Sequence, residues 1–118
     1  MRDLSERLIS FSIEIIKLFR KIPVSEEYKI IRYQIIKSVT SAGANYEEAQ
    51  GASSKADFTN KVRISLKEMR ESNYWLRVID GINEQPNLQT EIRSLIEESN
   101  ELKNILGSIC SKTKRKDS

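Results

Sequence analysis

The chain contains no histidine, and this absence removes a large share of enzyme chemistry. Histidine-ligated zinc and copper sites, Ser-His-Asp triads, Cys-His pairs and phosphohistidine relays each require at least one imidazole. None of these sites can be assembled from this sequence. We therefore predict a protein that is not an enzyme and that holds neither a metal ion nor a cofactor.

Cysteine, glycine, proline and long apolar runs are also scarce. The 118 residues include 1 Cys, 4 Gly and 2 Pro, which excludes the disulfide-rich, collagen-like and disordered classes. No apolar run approaches the roughly 20 residues that a membrane span needs, so no membrane contact is expected. Glu14 and Lys17 interrupt the apolar stretch near the N-terminus, which argues against a signal peptide. A single cysteine without an export signal predicts a cytoplasmic protein.

Positive charge is in small excess and is concentrated at one end of the chain. Lys and Arg number 20 against 17 Asp and Glu, which gives a net charge of +3. A basic C-terminal tail over residues 112–118 accounts for the whole excess, because it holds the four cations Lys112, Lys114, Arg115 and Lys116 against one acid, Asp117. Residues 1–111 are therefore neutral overall. Two interpretations stay open: a solvated helix end whose cations favour the C-terminal dipole, and a contact to nucleic acid.

Apolar residues recur every three or four positions along nearly the whole chain, a spacing that is typical of amphipathic helices. Pro23 ends the first such segment, and residues 81–87 form the clearest loop. Ser25 and Ser54 are predicted to cap the second and third segments. The residues at this spacing, which we call the apolar seams, are Leu4, Leu8, Phe11, Ile15, Leu18 and Ile22 in the first segment and Tyr28, Ile31, Ile35, Val39, Ala42, Tyr46 and Ala49 in the second. They are Phe58, Val62, Ser65, Met69, Ser72, Leu76 and Ile79 in the third segment and Leu88, Ile92, Leu95, Ser99, Leu102, Leu106 and Ile109 in the fourth.

No alternating strand pattern of useful length is present. The sequence predicts one all-α domain over residues 1–111, with helices at about 2–22, 25–51, 54–80 and 87–111. Short connections between four long helices favour antiparallel neighbours in an up-down-up-down bundle.

The chain has more large apolar residues than the seams account for. They are Ile9, Ile13, Ile16, Ile30, Ile36, Ile64 and Trp75. One interpretation is a protein–protein surface, and the other is a broad core face on each helix. Tyr74 and Trp75 are predicted to pack against the protein and not to stack on bases. Cys110 is predicted to serve as a small apolar residue near the last turn of the fourth helix.

The stretch from the second helix into the third carries a specific pattern. It consists of residues 41–49 (SAGANYEEA), 53–58 (SSKADF), 67–68 (KE) and 74–76 (YWL), and it is preceded by Arg32 and Ser38. In order and spacing, the pattern resembles the 23S rRNA intervening-sequence proteins, small four-helix bundles that are sometimes classed as ribosomal.

The resemblance implies a barrel-shaped homopentamer, which would explain the surplus apolar residues. A related branch, the accessory proteins of diversity-generating retroelements, is markedly basic and works with a reverse transcriptase and RNA. This chain departs from that branch because residues 1–111 carry no net charge. The implied function is a non-enzymatic, homo-oligomeric scaffold that binds structured RNA or an RNA-handling protein. The alternative is a protein–protein adaptor without nucleic-acid contact.

Asn45 and Glu48 are the most family-like polar pair, and they share one helical face. We predict that both are buried, with Glu48 hydrogen-bonded across the bundle to an Arg or Ser of the third helix. The predicted structural polar network comprises Arg32, Ser38, Asn45, Glu48 and Glu68. The alternative role for Glu48 is catalysis by its carboxylate.

Glu47, Glu48, Glu68 and Glu71 supply carboxylates of the kind found in di-iron bundles, but those sites also need Glu-x-x-His on two helices. A second candidate site is a contact to nucleic acid, formed by the cations of the third helix and of the C-terminal tail. The predicted contacts are Lys55, Lys61, Arg63, Lys67, Arg70, Lys112, Lys114, Arg115 and Lys116. An ordinary solvated helix face is the alternative interpretation of these cations.

Overall fold

The computed structural model describes residues 3–117, with side chains described as far as Thr113. The helices are α1 (Leu4–Phe19), α2 (Glu26–Gln50), α3 (Lys55–Ile82) and α4 (Gln89–Asp117), with a short 3-10 helix at Pro86–Leu88 before α4. This part of the chain contains no strand, so the all-α prediction is confirmed.

The first three helices each begin at a side chain that accepts a hydrogen bond from an otherwise unpaired backbone N–H. Asp3 accepts from Glu6 N at 2.8 Å, Ser25 from Tyr28 N at 3.2 Å, and Ser54 from Asp57 N at 3.1 Å. Such caps satisfy donors that the first helical turn leaves free. The predicted caps at Ser25 and Ser54 are therefore confirmed.

Two helices, α1 and α4, end at residues that differ clearly from the predicted ends. α1 ends at Phe19 and not at residue 22, because Pro23 disfavours a helical conformation just before it. α4 continues to Asp117, through the segment that was predicted as a tail from residue 112. That boundary was wrong because residues 108–117 contain neither glycine nor proline to end the helix.

The core is built from the predicted apolar seams. The residues of these seams are buried, except Leu4, Tyr28, Tyr46, Phe58 and Ile109, which are partly buried against the core. α1 packs on α2, α2 on α3, α3 on α4, and α1 also contacts α4, which gives a four-helix bundle measuring 48 × 24 × 23 Å. Within residues 3–117, no helix combines the length and the apolar character needed to cross a bilayer.

Candidate functional site

A layer of buried serines joins α2 to α3 inside the bundle. The hydroxyls of Ser38 and Ser72 lie 2.7 Å apart, and Ser65 Oγ donates to the backbone oxygen of Ala42 at 2.7 Å. These three serines are fully buried. Their small size lets the two helices approach closely, and their hydrogen bonds satisfy polar groups that would otherwise be costly to bury.

A second polar contact joins α3 to α4. The side-chain amide of Asn73 donates to Ser99 Oγ at 2.8 Å and to Asn100 Oδ1 at 3.1 Å. Asn73 was not among the site residues predicted from the sequence. A signal was available, because Asn73 follows Met69 by four residues and precedes Leu76 by three, which places it on the buried face.

The predicted polar network is largely wrong. Glu48 is exposed and pairs at 3.5 Å with Lys61, although this pair does join α2 to α3. Asn45 is half-buried and donates to the backbone oxygen of Ser41 in its own helix, at 2.9 Å. Arg32 is exposed. Glu48 and Asn45 are not buried because the positions of α2 that face the core here are occupied by Ala42 and Ala49. Glu48 directly precedes Ala49, so its side chain points about 100° away from the core.

Two members of that set do lie together. Ser38 is buried against Ser72, and Ser72 Oγ donates to the backbone oxygen of Glu68 at 2.9 Å. Glu68 is half-buried and takes part through its main chain, so a serine contact replaces the expected carboxylate network. Among the residues described, no group of acidic or cysteine side chains is arranged to hold a metal ion.

The second surface of interest is apolar and exposed. Its members, exposed one by one along the first two helices, are Ile9 and Ile13 on α1, Val24 in the connection, and Ile30 and Tyr33 on α2, and we call this set the α1/α2 apolar face. Val24 is 77% exposed, Tyr33 66% and Ile30 62%. Contiguous apolar patches of more than a few hundred Å² mark interaction sites on soluble proteins, so these side chains are candidates for such a contact. The other surplus apolar residues, Ile16, Ile36, Ile64 and Trp75, are half-buried, and of these Ile36 and Trp75 pack against the core.

A depression of about 400 Å³ borders the α1/α2 apolar face. It is lined by Tyr33 and Ile36, with the cations Lys29, Arg32 and Lys37 around it. Arg32, which was predicted to belong to the polar network, therefore lines this apolar depression on the surface instead.

Cations form a stripe along the solvent side of α3. Arg63, Lys67, Arg70, Tyr74 and Arg77 recur at steps of four and three, and all five are exposed, so we call this set the α3 stripe. The four cations of the stripe form no salt bridge to any other residue described. Tyr74 is 52% exposed and makes an edge-on contact with Trp75, at 5.1 Å between ring centroids. Trp75 therefore packs against the protein as predicted. Tyr74 contacts Trp75 on one side and is exposed to solvent on the other.

The remaining predicted nucleic-acid contacts are more dispersed. Lys61 is half-buried and engaged by Glu48, and Lys55 is exposed at the first residue of α3. Lys112 is exposed on α4. The side chains of Lys114, Arg115 and Lys116 lie outside the described part of the chain. The structure thus brings together three predicted cations, Arg63, Lys67 and Arg70, and adds Arg77 to them.

A groove of about 530 Å³ runs between α3 and α4, beside the α3 stripe. We call it the α3/α4 groove, and its lining consists of Leu66, Arg70, Lys103, Asn104, Gly107, Cys110 and Ser111. Burial raises the pKa of the Cys110 thiol, and the positive charges of Arg63 and Arg70 oppose that rise. Arg63 therefore also acts electrostatically on this groove.

Acidic residues collect on the opposite side of α4, where it meets α1. A groove of about 260 Å³ is lined there by Glu14, Glu97, Glu98 and Glu101, among others. Arg7 forms a bidentate salt bridge with Glu98, at 2.6 and 3.1 Å. Although the bundle is nearly neutral, acidic side chains are concentrated in this groove, which we call the α1/α4 groove, and basic side chains in the α3 stripe.

Comparison with known proteins relates this architecture to one family. Residues 3–108 match the family described as 23S rRNA-intervening sequence protein. The fold is similar to a crystal structure of a protein with unknown function from the S23 ribosomal protein family of Bacteroides thetaiotaomicron. The two chains are 34% identical with a TM-score of 0.79, and the match covers 92% of this chain and 98% of the other. Among curated proteins, none matches.

Proposed function

Because the chain belongs to the 23S rRNA-intervening sequence protein family, we propose that it is a homo-oligomeric helical scaffold that binds structured RNA. The observation that carries the proposal is the separation of two surfaces on one small bundle. The α1/α2 apolar face offers a subunit contact, and the α3 stripe offers exposed cations that form no salt bridge with the other residues described. In this proposal the protein is not an enzyme and works in the cytoplasm.

The proposed topology of the bundle is up-down-up-down. Between α2 and α3, Glu48 pairs with Lys61 and Ser38 with Ser72, so the contacts run in opposite chain order. Between α1 and α4, Arg7 pairs with Glu98 and Lys21 with Glu91, again in opposite order. These contacts support antiparallel neighbours, the arrangement that short connections favour.

The proposed assembly is a closed ring of five subunits, the number that the family resemblance implies. A ring of this kind uses two different patches on each subunit, one facing each neighbour. The α1/α2 apolar face supports one such patch, since burying Tyr33, Ile30 and Val24 would remove a large apolar area from water. Each copy of the α3 stripe would then be repeated around the ring.

In this proposal a chain with little net charge can bind RNA because the ring repeats the α3 stripe once in each subunit. A few cations per subunit become a continuous basic surface when several copies share one axis. Phosphate contacts supply most of the sequence-independent affinity for nucleic acid, and each contact adds to the salt dependence of binding. The α3 stripe places four cations over about 21 Å of helix, at roughly 1.5 Å per residue.

The second candidate function is a protein–protein adaptor with no nucleic-acid contact. The depression at Tyr33 and Ile36 favours it, because an apolar pocket with a cationic rim suits an acidic, amphipathic segment of a partner. The neutrality of residues 1–111 also fits this alternative. The two functions differ in whether the α3 stripe is needed.

The assembly is tested by sedimentation analysis of the purified chain and of the variants Tyr33→Glu and Ile13→Lys. We expect a multimer of the natural chain and smaller species for both variants, with unchanged helicity by circular dichroism. Glu97→Lys, an exposed charge change on α4, is the matched control and should keep the multimer. A natural chain that sediments as a monomer would contradict the scaffold proposal.

RNA binding is tested by fluorescence anisotropy with labelled fragments of large-subunit rRNA over a series of salt concentrations. We expect sub-micromolar affinity near physiological salt and a log–log slope of several, because each neutralised phosphate contributes nearly one unit for a duplex. Replacing Arg63, Lys67 and Arg70 by Gln should weaken binding and reduce the slope by up to about three.

Two matched variants locate the contact. Replacing Lys17, Arg20 and Lys29 by Gln removes the same charge from another face and should leave most of the affinity. Replacing Lys112, Lys114, Arg115 and Lys116 by Gln tests the C-terminal cations separately. Absence of binding at physiological salt by the natural chain would favour the adaptor, whose partner would then be sought by affinity capture.

A further inference from the structure

We propose that the α3/α4 groove binds the phosphates of an unpaired nucleic-acid strand, and that Tyr74 stacks on a neighbouring base. This inference rests on the proposed RNA-binding function and specifies which part of a structured RNA is held. The groove has two cations in its lining, Arg70 and Lys103, and none of its lining residues is acidic. It therefore differs from the α1/α4 groove, whose lining is rich in glutamate.

The cations around the groove have no acidic partner among the side chains that the structure describes. Arg63, Arg70 and Lys103 form no salt bridge with another residue in the described part of the chain. Arg63 and Arg70 are separated by two helical turns, about 10 Å at roughly 1.5 Å per residue. Mutual repulsion among such cations disfavours the folded state, and a bound polyanion would relieve that repulsion. Arginine also offers several N–H donors that match phosphate oxygens.

Gly107 keeps the groove open. A Cβ atom placed at Gly107 would meet nothing within 4 Å, so no packing requirement explains the glycine. Glycine within a helix is less favourable than alanine by about 1 kcal/mol. A side chain at this position would project into the space beside Lys103 and Cys110, where we place the phosphates. Asn104 and Ser111 add neutral hydrogen-bonding groups to the same lining.

The dimensions favour an unpaired strand over a duplex. Two helices in contact have axes about 8–10 Å apart, so the groove between α3 and α4 is too narrow to admit a double helix. Single strands are commonly held by a basic groove that follows the backbone and by aromatic side chains that stack on the bases. Tyr74 is half-exposed, it is held from one side by Trp75, and it lies between Arg70 and Arg77 on the α3 stripe.

The test uses the full chain and two labelled probes, a 12-nucleotide oligouridylate and a 12-base-pair RNA duplex. Gly107→Leu fills the groove without removing any charge. We expect it to weaken oligouridylate binding by about tenfold or more, because the leucine side chain would occupy the space in which we place the phosphates. Gly81→Leu is the matched control, since a Cβ at Gly81 also meets nothing within 4 Å but lies outside the groove. Its affinity should stay within twofold of the natural chain.

Three further measurements complete the test. Tyr74→Ala should weaken oligouridylate binding by about fivefold or more, and Tyr74→Phe should restore it, because stacking needs only the ring. Tripolyphosphate serves as a competitor that offers phosphates without bases, and it should compete poorly. If Gly107→Leu does not fold, the double variant Arg70→Gln with Lys103→Gln replaces it, with the same expected loss.

The outcomes separate this inference from the proposed function. Binding of the duplex alone, unaffected by Gly107→Leu, would overturn the groove while leaving RNA binding in place. Binding of neither RNA, by a correctly assembled chain, would contradict the proposed function itself. Strong competition by tripolyphosphate together with an unaffected Tyr74→Ala variant would make the groove a simple phosphate site and would overturn the unpaired strand as its ligand.

Discussion

The hydroxyl oxygens of Ser38 and Ser72 lie 2.7 Å apart across the α2–α3 contact, with both residues fully buried. Each hydroxyl also lies within hydrogen-bond distance of a carbonyl of its own helix, Ile35 O at 3.1 Å and Glu68 O at 2.9 Å. Each serine has one proton to donate, so one donates to the other and the second donates to its own helix. Both polar groups are therefore satisfied without water.

Removing one hydroxyl of this pair should cost little, because the other retains a local carbonyl acceptor. We expect Ser38→Ala and Ser72→Ala each to lower the free energy of unfolding by about 1 kcal/mol. The double variant should cost less than the sum, with a coupling of about 0.5 kcal/mol or more in a double-mutant cycle measured by urea unfolding. Ser108→Ala, at an exposed position of α4, is the control and should stay within about 0.5 kcal/mol. Strict additivity of the two serine variants would argue against the shared hydrogen bond.

The salt bridge between Arg7 and Glu98 is expected to be the strongest described ion pair. It is bidentate, and each side chain is only 21% exposed. We expect Arg7→Ala to lower the free energy of unfolding by about 1 kcal/mol, partly through lost packing of the arginine stem. Lys29→Ala removes an exposed pair with Glu26 and should have almost no effect. Equal losses for the two variants in urea unfolding would show that geometry and burial do not distinguish the pairs.

The reactivity of Cys110 reports on the electrostatics of the α3/α4 groove. Burial raises the pKa of this thiol, so at a given pH less thiolate is present than in the unfolded chain. We expect the rate of labelling by a disulfide reagent to rise at higher pH in the folded chain than in urea. Replacing both Arg63 and Arg70 by Gln should move the rate profile to still higher pH, because these cations stabilise the thiolate. A profile that moves to lower pH would contradict the assigned positions of the two arginines.

Alkaline pH should destabilise the bundle through two half-buried phenols. Burial is the main cause that raises the pKa of Tyr28 and of Tyr46, and nearby carboxylates such as Glu84 and Glu47 add to the rise. The folded chain therefore keeps these protons longer than the unfolded chain does. The free energy of unfolding should fall as the pH passes the ordinary phenol value of about 10.

The double variant Tyr28→Phe with Tyr46→Phe provides the comparison for this effect. Its free energy of unfolding, measured in urea at pH 8 and at pH 11, should fall less between the two values than that of the natural chain. All other groups are the same in both proteins, so the difference between the two proteins isolates the phenols. An identical fall in both would show that the two phenols ionise equally in the folded and unfolded states.

The fold was largely predictable because one signal, the recurrence of apolar residues every three or four positions, continues through all four helices. The serine and aspartate caps have equally local causes. The misplaced end of α4 shows the limit of local reasoning: a change in composition at residue 112 suggested a tail, but composition alone does not end a helix.

The candidate site was predicted less well because its parts depend on small rotations about the helix axis. Glu48 and Ala49 are neighbours in sequence, yet a rotation of about 100° puts one at the surface and the other in the core. Arg63, Lys67 and Arg70 could be placed on one stripe from their spacing. The α3/α4 groove could not be predicted, because Lys103 and Cys110 join it only through the packing of a second helix.

The contact between Tyr74 and Trp75 gives the chain an intrinsic optical reporter. Trp75 is the only tryptophan in the sequence, and its indole nitrogen is buried with no hydrogen-bond partner among the residues described. Its fluorescence should therefore be emitted at shorter wavelength than that of a water-exposed indole. Tyr74, at 5.1 Å, is close enough to pass excitation energy to it. A base that stacked on Tyr74, or a subunit that covered α3, would therefore change the emission without any added label.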